Sequence, residues 1–118
     1  MTNIESIELA RAYVALSNAH RPELILPLFA SDAVYRSSAV GAHRGATSIA
    51  AMMQAFFTRY PDVHWQCQNY RCDEDRVSFD FELQAIDADD GSLLQRGGIE
   101  HIAFDVHGLI KVLEVNAT

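Results

Sequence analysis

The chain has 118 residues, of which 49% are hydrophobic and 21% charged, and its 9 Lys and Arg against 16 Asp and Glu give a formal net charge of −7. These values are typical of a globular domain and exclude disordered, collagen-like, coiled-coil and disulfide-scaffold proteins. The acidic balance argues against nucleic acid or an anionic membrane surface as a partner, because both attract clustered cations.

Two helices are predicted at the start of the chain. Residues 2–19 have the capping-box spacing at Thr2 and Glu5, followed by apolar residues at helical intervals. A second, short helix is predicted to begin at Pro22, where a missing N–H costs nothing. Pro27 removes a hydrogen bond inside this helix, so we expect it to distort the helix there.

A short strand at residues 33–37 and a turn-rich stretch at 37–45 are predicted next. A long helix follows and ends at Pro61. Its apolar residues occupy one full helical stripe: Ile49, Met52, Met53, Phe56, Phe57 and Tyr60.

From Val63 onward the apolar period changes from 3.6 to 2, which indicates β-strands. Gly97 and Gly98, inside one of these strands, suggest a bulge or a bend. Helices followed by an antiparallel meander indicate a single α+β domain over residues 1–118, with the helices on one face of the sheet. The predicted strands cover about 63–68, 77–85, 93–105 and 109–115, with polar turns at 73–76 and 89–92.

Cysteine content and hydropathy bear on location. Cys67 and Cys72 match neither a CxxC redox pair nor a zinc knuckle, so two reduced thiols are expected. No run of 18 apolar residues is present, and residues 1–13 lack the order of a signal peptide. We therefore expect a cytoplasmic protein that does not enter a membrane.

Four segments carry a resemblance to a known family: AYVALSNAHRPELILPLFASDAVY, the G-x-x-x-G at residues 41–45, FFTRYPDVH, and RGGIEHIAFDVHGLI. Over residues 4–115 the chain resembles the nuclear transport factor 2-like superfamily, and within it the SnoaL-like and ketosteroid-isomerase-like branch. The resemblance implies a cone of three helices on a strongly curved, mainly antiparallel sheet. It also implies an apolar pocket inside the cone and dimerisation through the outer sheet face.

The resemblance implies site residues at three positions. The hydrogen-bonding tyrosine of the ketosteroid isomerases matches Tyr13, and their carboxylic acid matches Glu100, which is a Glu in place of an Asp. Their proton-abstracting carboxylate falls at Ser37. A serine cannot take a proton from carbon without a base beside it, so this departure argues against steroid-type isomerisation.

A buried acid would give the pocket its chemistry. If Glu100 faces the cavity with Gly98, Ile102 and Phe104, desolvation should raise its pKa and favour the protonated form. Tyr13 beside it would complete a two-donor site for a carbonyl or a developing enolate, as in the ketosteroid isomerases. The alternative is a buried pair in which Tyr13 and Glu100 bond only to each other.

Other residues have an ordinary interpretation beside a functional one. His43 could reach the pocket mouth as a base, and Arg36, Arg44 and Arg96 could select an anionic ligand, although surface arginines are ordinarily solvated. Several apolar side chains are expected in the core and could also line the pocket: Phe29, Tyr35, Met53, Phe56, Phe57, Trp65, Phe79, Phe81 and Ile102.

No metal or other cofactor is expected. A site at His64 and His101 lacks a third ligand at a recognisable spacing, and the acidic residues 87–91 lack the spacing of a calcium loop, so they are predicted to form a hairpin turn. Homodimerisation is plausible through outward-facing side chains of the sheet: Gln66, Gln68, Tyr70, Glu82 and Gln84.

Three functions remain open at this point. The first is a small-molecule pocket enzyme of the isomerase, cyclase, dehydratase or hydrolase type that uses acid–base chemistry on an apolar or polycyclic carbonyl compound. The second is a ligand-binding or dimerisation module without turnover, which the serine at position 37 favours. The third is a protein-transport adaptor. Fold alone does not choose among them.

Overall fold

The computed structural model describes residues 1–74 and 76–118. The helices are α1 (Asn3–Asn18), α2 (Pro22–Ile25) and α3 (Ala46–Arg59), and a 3₁₀ turn at Leu26–Leu28 follows α2. The strands are β1 (Phe29–Ser37), β2 (Gly41–Arg44), β3 (His64–Asp73), β4 (Arg76–Ile86), β5 (Leu93–Phe104) and β6 (Ile110–Ala117).

The six strands form one sheet in the order β2-β1-β6-β5-β4-β3. Neighbours are antiparallel except β1 and β6, which run parallel and join the two halves of the chain. Helix α1 packs on β3 and β4, and α3 packs on β1 and β2. The predicted α+β class, with three helices on a mainly antiparallel sheet, is confirmed.

The helix signals act as predicted. The Thr2 hydroxyl accepts a hydrogen bond from the Glu5 backbone N–H at 3.1 Å and caps α1. Pro22 occupies the first turn of α2, and the α-helical part of that segment ends at Ile25. Pro27 lies in the 3₁₀ turn that follows, because its ring and missing N–H do not fit an α-helix interior.

Two boundaries in the first half differ from prediction. Strand β1 begins at Phe29, where it pairs with Ile110 of β6, four residues earlier than the sequence indicated. The segment predicted as a turn contains β2, which pairs with β1 from Ser37 opposite Gly41 to Val34 opposite Arg44. This edge strand is short and mostly exposed, so it carries no apolar alternation to reveal it.

A bulge or a bend was predicted at Gly97 and Gly98, and the bulge is wrong, because both residues pair with β4 in an unbroken register. Gly98 serves a close approach between strands instead. A Cβ atom built on Gly98 would lie 2.1 Å from the Asn116 carbonyl oxygen of β6. A glycine is therefore required at position 98, because the backbones of β5 and β6 lie too close together there for a side chain.

A register shift does occur in β3, between Gln68 and Arg71, where Asn69 adopts a φ of 59°. The extra residue reverses the alternation, and Tyr70 turns towards the helices. Its ring stacks on Phe79 with centroids 4.8 Å apart. The interpretation of Tyr70 as an outward-facing residue is therefore wrong.

The core lies between the helices and the inner face of the sheet. Phe29, Phe79 and Ile102, predicted as core or pocket residues, are buried in it. In the described parts of the chain, no helix is both long and apolar enough to cross a membrane. The largest fully buried side chains of the core are Phe79, Ile25, Ile49, Ile102, Ile110, Leu113, Val63 and Val77.

Candidate functional site

A cavity opens between α1, α3 and the inner face of the sheet. The cavity has a volume of about 50 Å³, which is room for roughly three to five water molecules. Its walls are mainly aromatic and aliphatic, with a few polar groups. The lining residues are Tyr13, Ser17, Ile25, Tyr35, Ser37, Val40, Met52, Met53, Phe56, Phe57, Trp65, Phe81, Leu83, Arg96, Glu100 and Val115.

Most of the predicted site residues meet in this cavity, and four do not. Phe29, Phe79 and Ile102 belong to the solid core, and His43 lies outside the cavity wall. Those that line the cavity are Tyr13, Tyr35, Ser37, Met53, Phe56, Phe57, Trp65, Phe81 and Glu100.

Three further lining residues were not predicted in the pocket, although simple geometry places each beside a predicted one. Ser17 lies one helical turn after Tyr13, so both face the same side of α1. Arg96 precedes Glu100 by four residues on β5 and shares its face. Val115 stands opposite Glu100 in the β5–β6 register. Each could have been found from the position of Tyr13 or Glu100.

Glu100 is the buried acid of the cavity. It lies between Phe79 of β4 and Val115 of β6 in the sheet, and only 4% of its surface is exposed. Burial disfavours the charged form and raises the pKa of Glu100 to about 8. At neutral pH most of this carboxyl is therefore protonated, and its O–H can donate a hydrogen bond.

Two phenols share the cavity with Glu100. Burial raises the pKa of Tyr35, and the nearby Glu100 adds to the effect while Arg96 opposes it. Burial likewise raises the pKa of Tyr13, with further contributions from Tyr35 and Glu100 and an opposing one from Ser17. Both hydroxyls stay protonated at neutral pH and are potential donors.

Glu100 and Tyr13 are not a closed pair. Within residues 1–74 and 76–118, no hydrogen bond joins the Glu100 carboxyl to the Tyr13 hydroxyl. The same part of the chain contains no fully buried side-chain N or O atom without a partner. The Glu100 carboxyl makes no hydrogen bond within these residues, so its oxygens are not fully buried, and a ligand oxygen could reach them from the cavity that Glu100 lines.

Ser37 lines the cavity, but its hydroxyl oxygen already serves the backbone. It accepts hydrogen bonds from the N–H groups of Ala39 at 3.0 Å and Val40 at 3.3 Å, which stabilise the turn between β1 and β2. This use of its lone pairs weakens the hydroxyl as a proton acceptor.

His43 lies on β2, and its ring contacts the chain on both nitrogens. Nε2 is 3.0 Å from the Val40 carbonyl oxygen, which can only accept, so Nε2 carries the proton. Nδ1 then accepts from the Ser48 hydroxyl at 3.4 Å. Through these contacts the structure places His43 in an outer groove instead of the cavity.

This groove adjoins the cavity and shares four wall residues with it. Its remaining members lie on β2, α3 and the turn before β2, including His43, Arg59 and Tyr60. This common wall is where the cavity adjoins the groove, and we call it the mouth. It consists of Val40, Met52, Phe56 and Arg96.

Metal-ligating residues do not cluster within the described part of the chain, where no group of three or more His, Cys, Asp or Glu could hold an ion. His64 pairs with Gln84 and His101 with Ser78, so the two histidines are six residues apart along β4, roughly 20 Å. The His101 Nδ1 atom is 2.6 Å from the Ser78 hydroxyl.

Comparison with known proteins identifies relatives of this architecture. The family model of the SnoaL-like domain matches residues 10–112. AclR from Streptomyces galilaeus has a TM-score of 0.83 at 17% identity, covering 99% of this chain and 91% of that chain. A comparison with curated proteins finds no match.

Two further solved structures show the same fold. The epoxide hydrolase/cyclase-like enzyme SalBIII, from work on pyran ring formation in the polyether salinomycin, has a TM-score of 0.86 at 13% identity, covering 96% of this chain and 90% of that one. A hypothetical protein with a ketosteroid isomerase-like fold from Catenulispora acidiphila, solved with trimethylamine, has a TM-score of 0.81 at 17% identity, covering 91% and 82%.

Proposed function

The chain belongs to the SnoaL-like domain family of the nuclear transport factor 2-like superfamily, and on this premise we propose that it binds a small apolar carbonyl compound and acts on it by acid–base chemistry. Glu100 and Tyr13 would donate hydrogen bonds to the carbonyl oxygen. The observation that carries the proposal is Glu100, a buried carboxyl whose pKa lies near 8 and whose oxygens remain open to an apolar cavity.

Neutral hydrogen-bond donors can stabilise a developing oxyanion and are also compatible with a mainly apolar cavity, where charged groups are costly to bury. A protonated Glu100 costs far less to bury than a carboxylate, and it can strengthen its hydrogen bond as negative charge grows on the ligand oxygen. Each pre-positioned donor of this kind is worth about 2.7–4 kcal/mol of barrier lowering. Tyr35, with its raised pKa, is a third donor in reach of the same space.

The reaction class follows from which acids and bases line the cavity. Within the described lining, the ionisable groups are Tyr13, Tyr35, Arg96 and Glu100, so donors outnumber bases. This balance suits an isomerase, cyclase or hydro-lyase in which the substrate oxygen receives hydrogen bonds. The likeness to an enzyme described as epoxide hydrolase/cyclase-like supports the cyclase within this group.

A ligand-binding module without turnover is the second candidate. The Ser37 hydroxyl accepts from two backbone N–H groups and His43 lies in the groove, so neither offers a free base to the cavity. A protein that only holds its ligand needs the donors and no base. The two candidates therefore share the same binding site and differ only in proton abstraction.

Homodimerisation and a cytoplasmic location accompany this proposal. The outer face of β3 and β4 presents exposed polar side chains, among them Gln66, Gln68 and Glu82, that a second copy could cover. Both cysteines are free, which fits a reducing compartment. Sedimentation of the purified protein tests the dimer directly.

Ligand-induced stabilisation tests the carbonyl site. A series of neutral aromatic ketones should raise the melting temperature of the wild type, since a ligand of the native state stabilises it by mass action. Glu100→Gln and Tyr13→Phe should fold and weaken ketone affinity about tenfold each, because a hydrogen bond is lost or made weaker. Glu82→Gln, on the outer face, is the matched control and should bind as the wild type does.

Proton exchange separates an enzyme from a binding module. A bound ketone incubated in D₂O should gain deuterium at its α-carbon, followed by NMR, if the protein promotes enolisation. Binding without exchange favours the module. Unchanged ketone affinity in both Glu100→Gln and Tyr13→Phe would refute the proposed site itself.

A further inference from the structure

Arg96 is a cation at the mouth of a mainly apolar cavity. Its half-buried side chain lines both the cavity and the outer groove. In the described part of the chain no carboxylate lies within 4.0 Å of its guanidinium, whereas five other arginines have such a partner. Arg59, the other arginine of the groove, is already bound to Asp87.

From this arrangement we propose that the ligand carries a carboxylate as well as a carbonyl, and that Arg96 binds the carboxylate at the mouth while the carbonyl reaches Glu100. The proposal deepens the proposed function and rests on it for the carbonyl end. The ligand class is a keto acid whose two polar ends are separated by an apolar segment.

The spacing of the two polar ends fits such a ligand. Arg96 and Glu100 share one face of β5 and are four residues apart, so their Cα atoms are separated by about 13 Å. Tyr35 lines the same cavity as both groups.

The wall between these ends is apolar and adjustable. Met52 and Phe56 belong to the mouth, and Met53 and Phe57 continue the surface inward. Methionine side chains have three rotatable bonds and fill irregular gaps, so they can accommodate an aryl or alkyl segment in a cavity that is narrow when empty.

Charge balance favours a carboxylate over a phosphate. Arginine recognises both through paired N–H donors. Among the described residues of the mouth and the groove, a dianionic phosphate would meet one cation without an ion-pair partner, while the chain as a whole carries a net charge of −7 that repels anions. One carboxylate matches one guanidinium.

A pair of probes isolates the contribution of Arg96. The acid 4-oxo-4-phenylbutanoate and its methyl ester share the aryl ketone and differ only in charge. Titration calorimetry at low salt should show the wild type binding the acid about tenfold more tightly than the ester, since a charge-assisted hydrogen bond is stronger than a neutral one. Arg96→Gln should abolish this preference by weakening binding of the acid far more than binding of the ester.

Matched variants sharpen the test. Arg96→Lys should retain part of the preference for the acid, because it keeps the charge and loses the paired geometry. Arg44→Gln, which removes an exposed cation of β2 outside the cavity lining, should keep the full preference.

The outcomes distinguish the two proposals. Equal affinity of wild type and Arg96→Gln for the acid, with ester binding that still depends on Glu100, overturns the role of Arg96 and leaves the carbonyl site standing. Ester binding that is insensitive to Glu100→Gln overturns the proposed function while the acid preference can still report on Arg96. Failure of the wild type to bind either probe overturns both.

Discussion

Arg59 on α3 and Asp87 at the end of β4 form an ion pair of 2.8 Å in which only the carboxylate is buried. The Arg59 side chain is 55% exposed and that of Asp87 only 3%. The other Asp87 oxygen accepts the backbone N–H of Asp89 at 2.8 Å, which shapes the turn before β5. One buried carboxylate thus connects a helix to the turn of a hairpin, and its removal should destabilise both.

Asp87→Ala should therefore lower the free energy of unfolding by about 1–3 kcal/mol, because it removes the hydrogen bonds that a buried carboxylate accepts from Arg59 and from the Asp89 N–H. Asp90→Ala is the matched control. Asp90 accepts from the Ser92 N–H and hydroxyl in the same turn but is exposed, so its loss should cost less. Urea denaturation of both variants measures the difference, and equal losses would show that the burial of Asp87 is unimportant.

The register shift of β3 depends on a residue in the left-handed region. Asn69 has a φ of 59°, which asparagine tolerates and a β-branched residue does not. Asn69→Val should destabilise the protein by about 1–2 kcal/mol and disturb the packing of Tyr70, although valine favours strands in general. Gln68→Val, one residue earlier on the exposed face, should be close to neutral. The Trp65 and tyrosine fluorescence and the urea midpoint report both effects, and a neutral Asn69→Val would contradict this account.

The sequence predicted the elements whose signals are local. The Thr2 cap, the two prolines of the second helix and the apolar stripe of α3 depend on neighbours within one turn, and the alternation of β4 is visible in the chain itself. Strand β2 was not predicted, because an exposed edge strand has no apolar face and so shows no apolar alternation in its sequence. Tyr70 was placed on the wrong face because alternation assumes that no residue is inserted, and nothing in the polar run around Asn69 shows that one is.

The limits of prediction at the site have a different cause. Phe79 and Phe81 share one face of β4 and cannot be told apart by periodicity. Phe79 is fully buried beneath Tyr70, while Phe81 lines the cavity. Which aromatic residue borders empty space depends on how helices and strands far apart in sequence fit together. The acid and the Tyr13 phenol could be predicted because a family resemblance supplied their positions, whereas Arg96 was predicted only as one of three arginines that could select an anionic ligand.

Gly98 should tolerate no side chain. A Cβ there would lie 2.1 Å from the Asn116 carbonyl oxygen, and this contact is with backbone, which cannot rotate away. Gly98→Ala should lower stability by about 1–3 kcal/mol or more through overpacking. At Gly97 the nearest atom to such a Cβ is the Phe81 carbonyl oxygen at 3.3 Å, so Gly97→Ala should cost less. Thermal unfolding of the two alanine variants compares them, and an equally stable pair would mean that β5 and β6 can separate without cost.

The raised pKa of Glu100 makes the stability of the protein depend on pH. Folding shifts this pKa from its ordinary 4.5 to about 8, so between these values the folded state keeps a proton that the unfolded chain has lost. The stabilisation that results is complete below about pH 4.5 and is lost as pH rises through 8, with a total on the order of 5 kcal/mol. Glu100→Gln mimics the neutral carboxyl and has no proton to lose.

The wild type should therefore lose stability relative to Glu100→Gln as pH rises from about 5 to about 8, and the remaining titrating groups cancel because both proteins share them. Urea denaturation at several pH values measures this difference. Glu82→Gln, an exposed change on the neighbouring strand, should follow the wild type. Parallel stability curves for the wild type and Glu100→Gln would show that Glu100 ionises in the folded state as it does in water, and such a carboxylate could not serve as the neutral donor that the carbonyl site requires.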